Sequence, residues 1–167
     1  MKEEINKMEN YMYLKNYSNS TIRTYTYLFK KFLNYTGKAP ELIIENDITH
    51  FIGQLLRDQY SRATQKQAIN AIQLYFDKVL RRKMNADVYI RPKGENSIPN
   101  VLSKREVRKI IESPKNIKHK AILTLMYACG LRIGELVSLK LNDVDSERMI
   151  IHIRKGKGKK DRIIPLC

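Results

Sequence analysis

Apolar residues recur every three or four positions through the first half of the chain, which is the spacing of amphipathic helices. The clearest stripe runs from Ile22 to Phe32. It follows Ser18 and Ser20, either of which can cap the helix, and Gly37 and Pro40 end it. Comparable stripes predict helices over residues 46–59 and 63–82, and a further short helix is expected before residue 18. The apolar side chains of the 46–59 helix are Ile48, Phe51, Ile52, Leu55 and Leu56.

The second half of the chain combines short helical patterns with alternating β-branched residues. Residues 89–100 hold two prolines and a glycine without periodicity, which is typical of a linker. Ser103 and Glu106 then match the S-x-x-E pattern of a capping box, and Gly130 marks the end of a later helix. The expected elements are helices over 103–113, 117–130 and 132–139, strands over 149–153 and 162–165, and a turn over 155–160.

These patterns predict a mainly α protein with a small β-hairpin. We expect residues 1–88 to form a helical bundle, residues 89–100 to be a linker, and residues 101–167 to form a second domain of helices followed by the hairpin. Cys129 lies in an apolar run, so it is expected to be a buried small side chain.

The net charge of +15 narrows the choice of partner. Both halves of the chain are basic, so an anionic polymer or surface is expected to bind. A membrane is the weaker choice because no apolar stretch is long enough to span a bilayer and no signal core precedes residue 18. With two cysteines there is no disulfide framework, and a cytoplasmic location is expected. We expect no cofactor, and the scattered His50, His119 and His152 do not suggest a metal site.

The residues with the clearest chemical potential are Arg132, at the start of a predicted helix, and Lys157, between two glycines at the hairpin tip. The fork of an arginine matches two phosphate oxygens, whereas a lysine can reach a phosphate or donate a proton. Together they could stabilise charge during phosphoryl transfer. The residues alone leave alternatives open: Arg132 can instead pair with Glu135, and the lysine-rich turn can be a solvated loop that binds any nucleic acid.

Two sequence motifs resemble those of a known family. Residues 128–136 (ACGLRIGEL) and 156–166 (GKGKKDRIIPL) closely resemble the motifs of the tyrosine recombinases, which include phage integrases and the enzymes that resolve chromosome dimers. The likeness extends to the region 17–83, which looks like the helical core-binding domain of these enzymes. The resemblance therefore implies a SAM-like core-binding bundle followed by an incomplete α+β catalytic domain.

The resemblance also implies roles for three residues. Arg132 matches the first catalytic arginine of the family, Lys157 matches the lysine that acts as general acid toward the leaving 5′-oxygen, and Glu135 matches a supporting position. The His-x-x-Arg box and the nucleophilic tyrosine of the family have no counterpart here. We therefore expect this chain alone to be inactive, although the complete protein would break and rejoin DNA through a 3′-phosphotyrosine intermediate.

Polar residues on the predicted helices and hairpin are candidates for DNA contact, although each can also be part of a solvated face. Gln65 and Asn70 are the candidates for base edges, and the others are expected to contact the backbone. The candidates on the helices are Arg23, Tyr27, Lys30, Lys31, Arg62, Thr64, Gln65, Lys66 and Asn70, and those on the hairpin are Lys155, Lys159, Lys160 and Arg162.

Three functions remain open. The first is part of a site-specific recombinase, the second is an inactive DNA-binding module that occupies recombination sites, and the third is a basic RNA-binding protein. By resemblance a homotetramer on DNA is expected only for the complete protein. The fragment is expected to be monomeric or prone to aggregation, with an exposed apolar hairpin face. That face would comprise Ile150, Ile151, Ile163 and Ile164.

Overall fold

The computed structural model describes residues 1–84, 99–154, 156 and 160–166, and the chain forms two compact units, residues 1–97 and 98–167. The predicted linker falls largely outside the described residues, so the exact domain boundaries stay a prediction. The chain is mostly helical with one small antiparallel sheet, as expected. Within the described ranges, none of the helices has the length and apolar character needed to cross a bilayer.

The first unit is a bundle of four helices, which confirms the expected architecture. Ser18 caps the second helix by accepting a hydrogen bond from the Thr21 amide at 3.2 Å. Gly37 ends it with a φ of 62°, a left-handed conformation that suits glycine. The helices are α1 (Lys2–Leu14), α2 (Asn19–Thr36), α3 (Glu45–Arg57) and α4 (Arg62–Leu74), with a short 3-10 turn at Pro40–Leu42.

The helix predicted over 63–82 stops earlier than expected. Its last turns widen into a π-helix at Tyr75–Val79, and this turn buries both Tyr75 and Phe76. The Tyr75 hydroxyl donates a hydrogen bond to the Glu4 carboxylate, which ties α1 to the end of the bundle. Burial, and then this hydrogen bond, raise the pKa of Tyr75 above its ordinary range.

The core of the first unit is aromatic and continuous. Phe29 is fully buried and stacks on Tyr75 with a centroid separation of 4.2 Å, and Phe32 lies 5.2 Å from Phe51. The prediction for Leu56 was wrong, since that side chain is 64% exposed. Leu55 fills the core position of this turn, and the next residue points about 100° away from it around the helix.

The second unit begins with three helices in the predicted places. The capping box is confirmed: Ser103 Oγ accepts from the Glu106 amide at 3.3 Å, and the Glu106 carboxylate accepts from the Ser103 amide at 2.8 Å. The helices are α5 (Lys104–Glu112), α6 (Ile117–Cys129) and α7 (Ile133–Ser138).

The hairpin is confirmed, and it belongs to a slightly larger sheet. The strands β1 (Val144–Asp145), β2 (Ile150–Ile153) and β3 (Arg162–Pro165) pair in that order, all antiparallel. Ile151 lies opposite Ile164 in the β2–β3 register. Strand β1 was missed because two residues are too short to show an alternating pattern.

The core of the second unit is small, and its exposed apolar residues differ from those predicted. Ile151 is fully buried, contrary to prediction, whereas Ile163 is 60% exposed. Cys129 is only half-buried, with its thiol 3.6 Å from the Pro165 carbonyl. The buried apolar residues described in this unit are Leu131, Leu136, Ile151 and Ile153. The exposed apolar side chains of its helical region include Val101, Leu102, Ile110, Ile117, Tyr127, Ile133, Val137 and Leu141.

Candidate phosphate-binding site and DNA interface

The turn between α6 and α7 determines where Arg132 lies. Helix α6 ends at Gly130 with a φ of 60°, and the next residue, Leu131, is buried in the small core. Arg132 follows as the N-terminal cap of α7 with extended backbone. Because Leu131 is anchored on one side of this turn, the Arg132 side chain emerges on the other.

We predict that Gly130→Ala destabilises the second unit. A left-handed conformation costs a non-glycine residue roughly 1–2 kcal/mol, although a Cβ at Gly130 would meet no atom within 4 Å. Gly134→Ala is the matched control, because Gly134 lies inside α7 with equally open space, so the change should stabilise by roughly 0.5–1 kcal/mol. Denaturant unfolding measures both, and shifts of the same sign would contradict the account.

Glu135 is the centre of the site. Its side chain is only 6% exposed, and the Arg162 guanidinium grips both of its oxygens, with Nη1 2.7 Å from Oε1 and Nη2 2.8 Å from Oε2. The Arg132 amide donates to Oε2 at 3.0 Å, and Arg132 Nη1 lies 3.1 Å from Oε1. One carboxylate therefore joins the start of α7 to strand β3.

These contacts change the titration of the carboxyl group. Hydrogen bonds from the Arg162 guanidinium, and then from the Arg132 amide, hold the pKa of Glu135 well below its ordinary value of 4.5, although burial acts in the opposite direction. The Arg162 pKa is raised in return, chiefly by the same hydrogen bonds. Glu135 therefore stays ionised at neutral pH and keeps both arginines in place.

Gly156 explains how the hairpin approaches this ion pair. A Cβ at Gly156 would lie 2.9 Å from Arg162 Nη1 and 3.0 Å from Glu135 Oε1, closer than side chains pack. The Gly156 amide also donates to the Lys160 carbonyl at 2.9 Å, which closes the turn. A side chain at this position would therefore push against the Arg162–Glu135 pair. The predicted residues Lys155, Lys157 and Lys159 lie outside the described residues.

A second ion pair, which was not predicted from the sequence, lies at the end of β2, the other strand of the hairpin. Asp143 is buried, and its Oδ1 lies 2.6 Å from Arg154 Nε while its Oδ2 accepts from the Lys140 amide at 3.0 Å. The Arg154 hydrogen bond, and then the Lys140 amide, lower the pKa of Asp143. The available signal for this ion pair in the sequence was an acidic residue, Asp143, followed by an arginine, Arg154, at the end of the β2 strand.

The geometry gives the two arginines around Glu135 different tasks. Arg132 is tethered by its amide and one guanidinium nitrogen, yet its side chain is 57% exposed. It can therefore offer donors to an oxyanion that approaches from solvent. Arg162, which was predicted to contact DNA, binds both oxygens of Glu135 with its fork, and its contact with DNA stays a prediction. Lys160, also predicted to contact DNA, is exposed.

On the first unit, α2 and the start of α4 share a polar face. Lys31 Nζ donates to the Tyr60 hydroxyl at 2.7 Å, lies 4.0 Å from the centre of its ring and is 3.7 Å from Asp58. The hydrogen bond from Lys31, and then that from Tyr27, lower the pKa of Tyr60. The predicted contact residues Arg23, Tyr27, Lys30, Arg62, Lys66 and Asn70 are exposed.

Gln65 differs from expectation, whereas the predicted contact of Thr64 with DNA stays a prediction. Gln65 is 3% exposed and its amide donates to the Tyr60 carbonyl at 2.9 Å, so the prediction that it reads a base edge is corrected. It holds the turn before α4 instead. The Thr64 hydroxyl is half-buried and lies 2.9 Å from the Ser61 hydroxyl at the cap of α4. No group of three or more potential metal ligands occurs among the residues that the structure describes.

Two family models match most of this chain. Residues 5–86 match the family described as phage integrase, N-terminal SAM-like domain, and residues 100–167 match the phage integrase family. The tyrosine recombinase XerA of Pyrococcus horikoshii is 37% identical over 93% of this chain and 53% of its own length. XerA of Thermococcus onnurineus is 34% identical over 98% of this chain and 57% of its own length. The chain thus spans about half the length of these curated relatives.

Solved structures show the same fold. The Tn1549 transposon integrase, determined in complex with transposon right end DNA, has a TM-score of 0.68 at 17% identity, over 97% of this chain and 60% of its own. The XerH site-specific recombinase bound to a palindromic difH substrate has a TM-score of 0.61 at 24% identity, over 90% of this chain and 49% of its own.

Proposed function

Because the chain belongs to the tyrosine recombinase, or phage integrase, family, we propose that it binds duplex DNA and holds a backbone phosphate with Arg132. In the whole protein this contact serves DNA strand breakage and rejoining. The observation that carries the proposal is the anchored position of Arg132: Glu135 fixes one side of it, and the rest remains exposed.

The chemistry follows from what each group can donate. Attack on a phosphodiester builds negative charge on the non-bridging oxygens, and a fixed guanidinium stabilises that charge without having to reorganise. Lys157, on the hairpin that Arg162 anchors through Glu135, is the general acid of this proposal and gives its proton to the leaving 5′-oxygen. The attacking tyrosine and the 3′-phosphotyrosine intermediate belong to the whole protein.

The first unit supplies affinity in this proposal. The α2–α4 face, made of Arg23, Tyr27, Lys30, Lys31, Arg62, Lys66 and Asn70, is suited to contact phosphates along a groove. Asn70 is the remaining candidate for a base edge. The sequence predicts a cytoplasmic location. We keep this location as part of the proposal because DNA is the proposed partner.

Charge removal on this face tests the proposal. We expect Arg23→Gln, Lys30→Gln and Lys66→Gln, combined, to weaken duplex binding and to reduce the slope of log affinity against log salt by up to about 2.7, since each lost phosphate contact removes roughly 0.9. The matched control combines Lys2→Gln, Lys15→Gln and Lys83→Gln, which removes the same charge from exposed sites outside the face. The slopes are measured by fluorescence anisotropy. Equal slopes for the two variants would contradict the proposal that the α2–α4 face contacts DNA.

A second candidate is a DNA-binding module that occupies recombination sites without cutting. It uses the same DNA contacts as the first candidate and differs only in whether the whole protein cuts the DNA that it holds. A nicked suicide duplex distinguishes the two when it is tested with the whole protein that contains this chain, since a covalent adduct would exclude the module. Preference for structured RNA over duplex DNA in competition would exclude both.

A further inference from the structure

Helix α5, the turn after it and the first turn of α6 carry a dense group of cations. Residues 104–120 contain seven lysines and arginines against two glutamates, and none of the seven was among the DNA contacts predicted from sequence. All seven are exposed. We call them the α5–α6 basic surface: Lys104, Arg105, Arg108, Lys109, Lys115, Lys118 and Lys120.

The side chains of this surface are not neutralised within the described parts of the chain. Among those residues, the salt bridges of the second unit involve Arg132, Arg148, Arg154 and Arg162, and none involves the α5–α6 basic surface. Glu106, one of the two nearby acids, is already committed to the Ser103 cap. The positive charge of the surface therefore faces solvent.

The helix ends make this charge unfavourable for the protein alone. Lys104 and Arg105 begin α5, Lys118 and Lys120 lie in the first turn of α6, and that turn contains no acidic residue. The positive end of each helix dipole repels these cations. A bound anion would relieve this repulsion, so the arrangement favours a polyanionic ligand.

The four cations of α5 form one stripe. At 100° per residue, Lys104, Arg105, Arg108 and Lys109 fall within an arc of roughly 140°, and the half-buried Val107 lies outside it. A stripe of this kind can follow a row of phosphates, which are spaced about 3.4 Å apart per strand along the duplex axis.

The cations at the start of α6 are separate from the site around Glu135, whereas Lys104 and Arg108 of the stripe share a surface pocket with Tyr127 near the end of α6. Helix α6 has 13 residues and runs from the basic surface at its start to the Gly130 turn before Arg132. At 1.5 Å per residue this is about 20 Å, or roughly six base pairs along a duplex. The cations at the start of α6 and the site around Glu135 can therefore contact different phosphates.

We propose that the α5–α6 basic surface binds the sugar–phosphate backbone of duplex DNA without reading its sequence, as a contact distinct from Arg132 and from the α2–α4 face. This inference rests on the proposed function, since it assigns a second DNA surface to a chain that binds DNA. It adds affinity and salt dependence but no base discrimination.

The test combines Arg105→Gln, Lys109→Gln and Lys118→Gln, changes that keep helix propensity at exposed positions. The control is the Lys2, Lys15 and Lys83 triple variant, and circular dichroism checks that both variants fold. Affinity is measured against salt on two unrelated duplexes of equal length. We expect the α5–α6 variant to lose slope by roughly 2–3 relative to the control, and equally on both duplexes.

The outcomes separate this inference from the proposed function. If the unaltered chain binds duplex DNA but the α5–α6 variant keeps the slope of the control, the basic surface does not contact DNA and the inference fails alone. A loss seen on only one duplex contradicts a sequence-independent contact. If the unaltered chain shows no salt-dependent duplex binding, the proposed function fails first, and the inference fails with it.

Discussion

Glu135→Gln is expected to loosen the second unit around the hairpin. The amide cannot accept from both nitrogens of the Arg162 fork and from the Arg132 amide as the carboxylate does, and it leaves two arginines without a counter-charge. We expect the unfolding midpoint of the second unit to fall by roughly 5–10 °C. Hydrogen exchange of the β2 and β3 amides should rise in parallel, which locates the loss.

The pH dependence gives this prediction a second readout. A carboxylate with a lowered pKa stabilises the folded state above its unfolded pKa of about 4.5, and the stabilisation is lost as pH falls through the lower folded value. The difference between the unaltered chain and Glu135→Gln should thus be constant near neutrality and shrink below about pH 4.5. Glu147→Gln, an exposed site in the same unit, is the control. An equal effect of both changes would contradict the role of Glu135.

Phe29→Ala is expected to destabilise the first unit most. Phe29 is fully buried, stacks on Tyr75 at 4.2 Å and lies 6.4 Å from Phe32, so the change leaves a cavity at the centre of the aromatic core. Truncations of this kind cost about 3–5 kcal/mol, a large part of the stability of a small domain. Denaturant unfolding followed by circular dichroism measures the loss.

Leu14→Ala is the control for this cavity. Leu14 lies at the end of α1 with its side chain exposed, so its truncation should change stability by less than about 0.5 kcal/mol. Comparable losses for Phe29→Ala and Leu14→Ala would mean that the aromatic cluster is not the core of this unit.

The helices were predictable because their signals are local. Ser18, Gly37, Ser103 and Gly130 all act as the caps or ends that their residue types indicate. Local signals do not show whether an apolar side chain packs in the core or lies exposed to solvent. Leu56 continues an apolar stripe, but Leu55 fills the core position of this turn and Leu56 is left exposed.

The site was predictable only in part, because charge in a sequence does not show its partner. Arg162 was expected to contact DNA, yet its fork is used by a carboxylate 27 positions earlier. Gln65 was expected to contact a base, yet its amide is used by the Tyr60 carbonyl. Such pairings depend on the folded approach of distant segments, which neither composition nor spacing contains.

The central claim is that this chain binds duplex DNA mainly through its lysines and arginines. The most direct measurement is the affinity of the unaltered chain for a duplex across a series of salt concentrations. We predict a linear fall of log affinity with log salt, with a slope of roughly −5 or steeper, because several phosphate contacts each release counterions. An affinity that does not change with salt would contradict the claim.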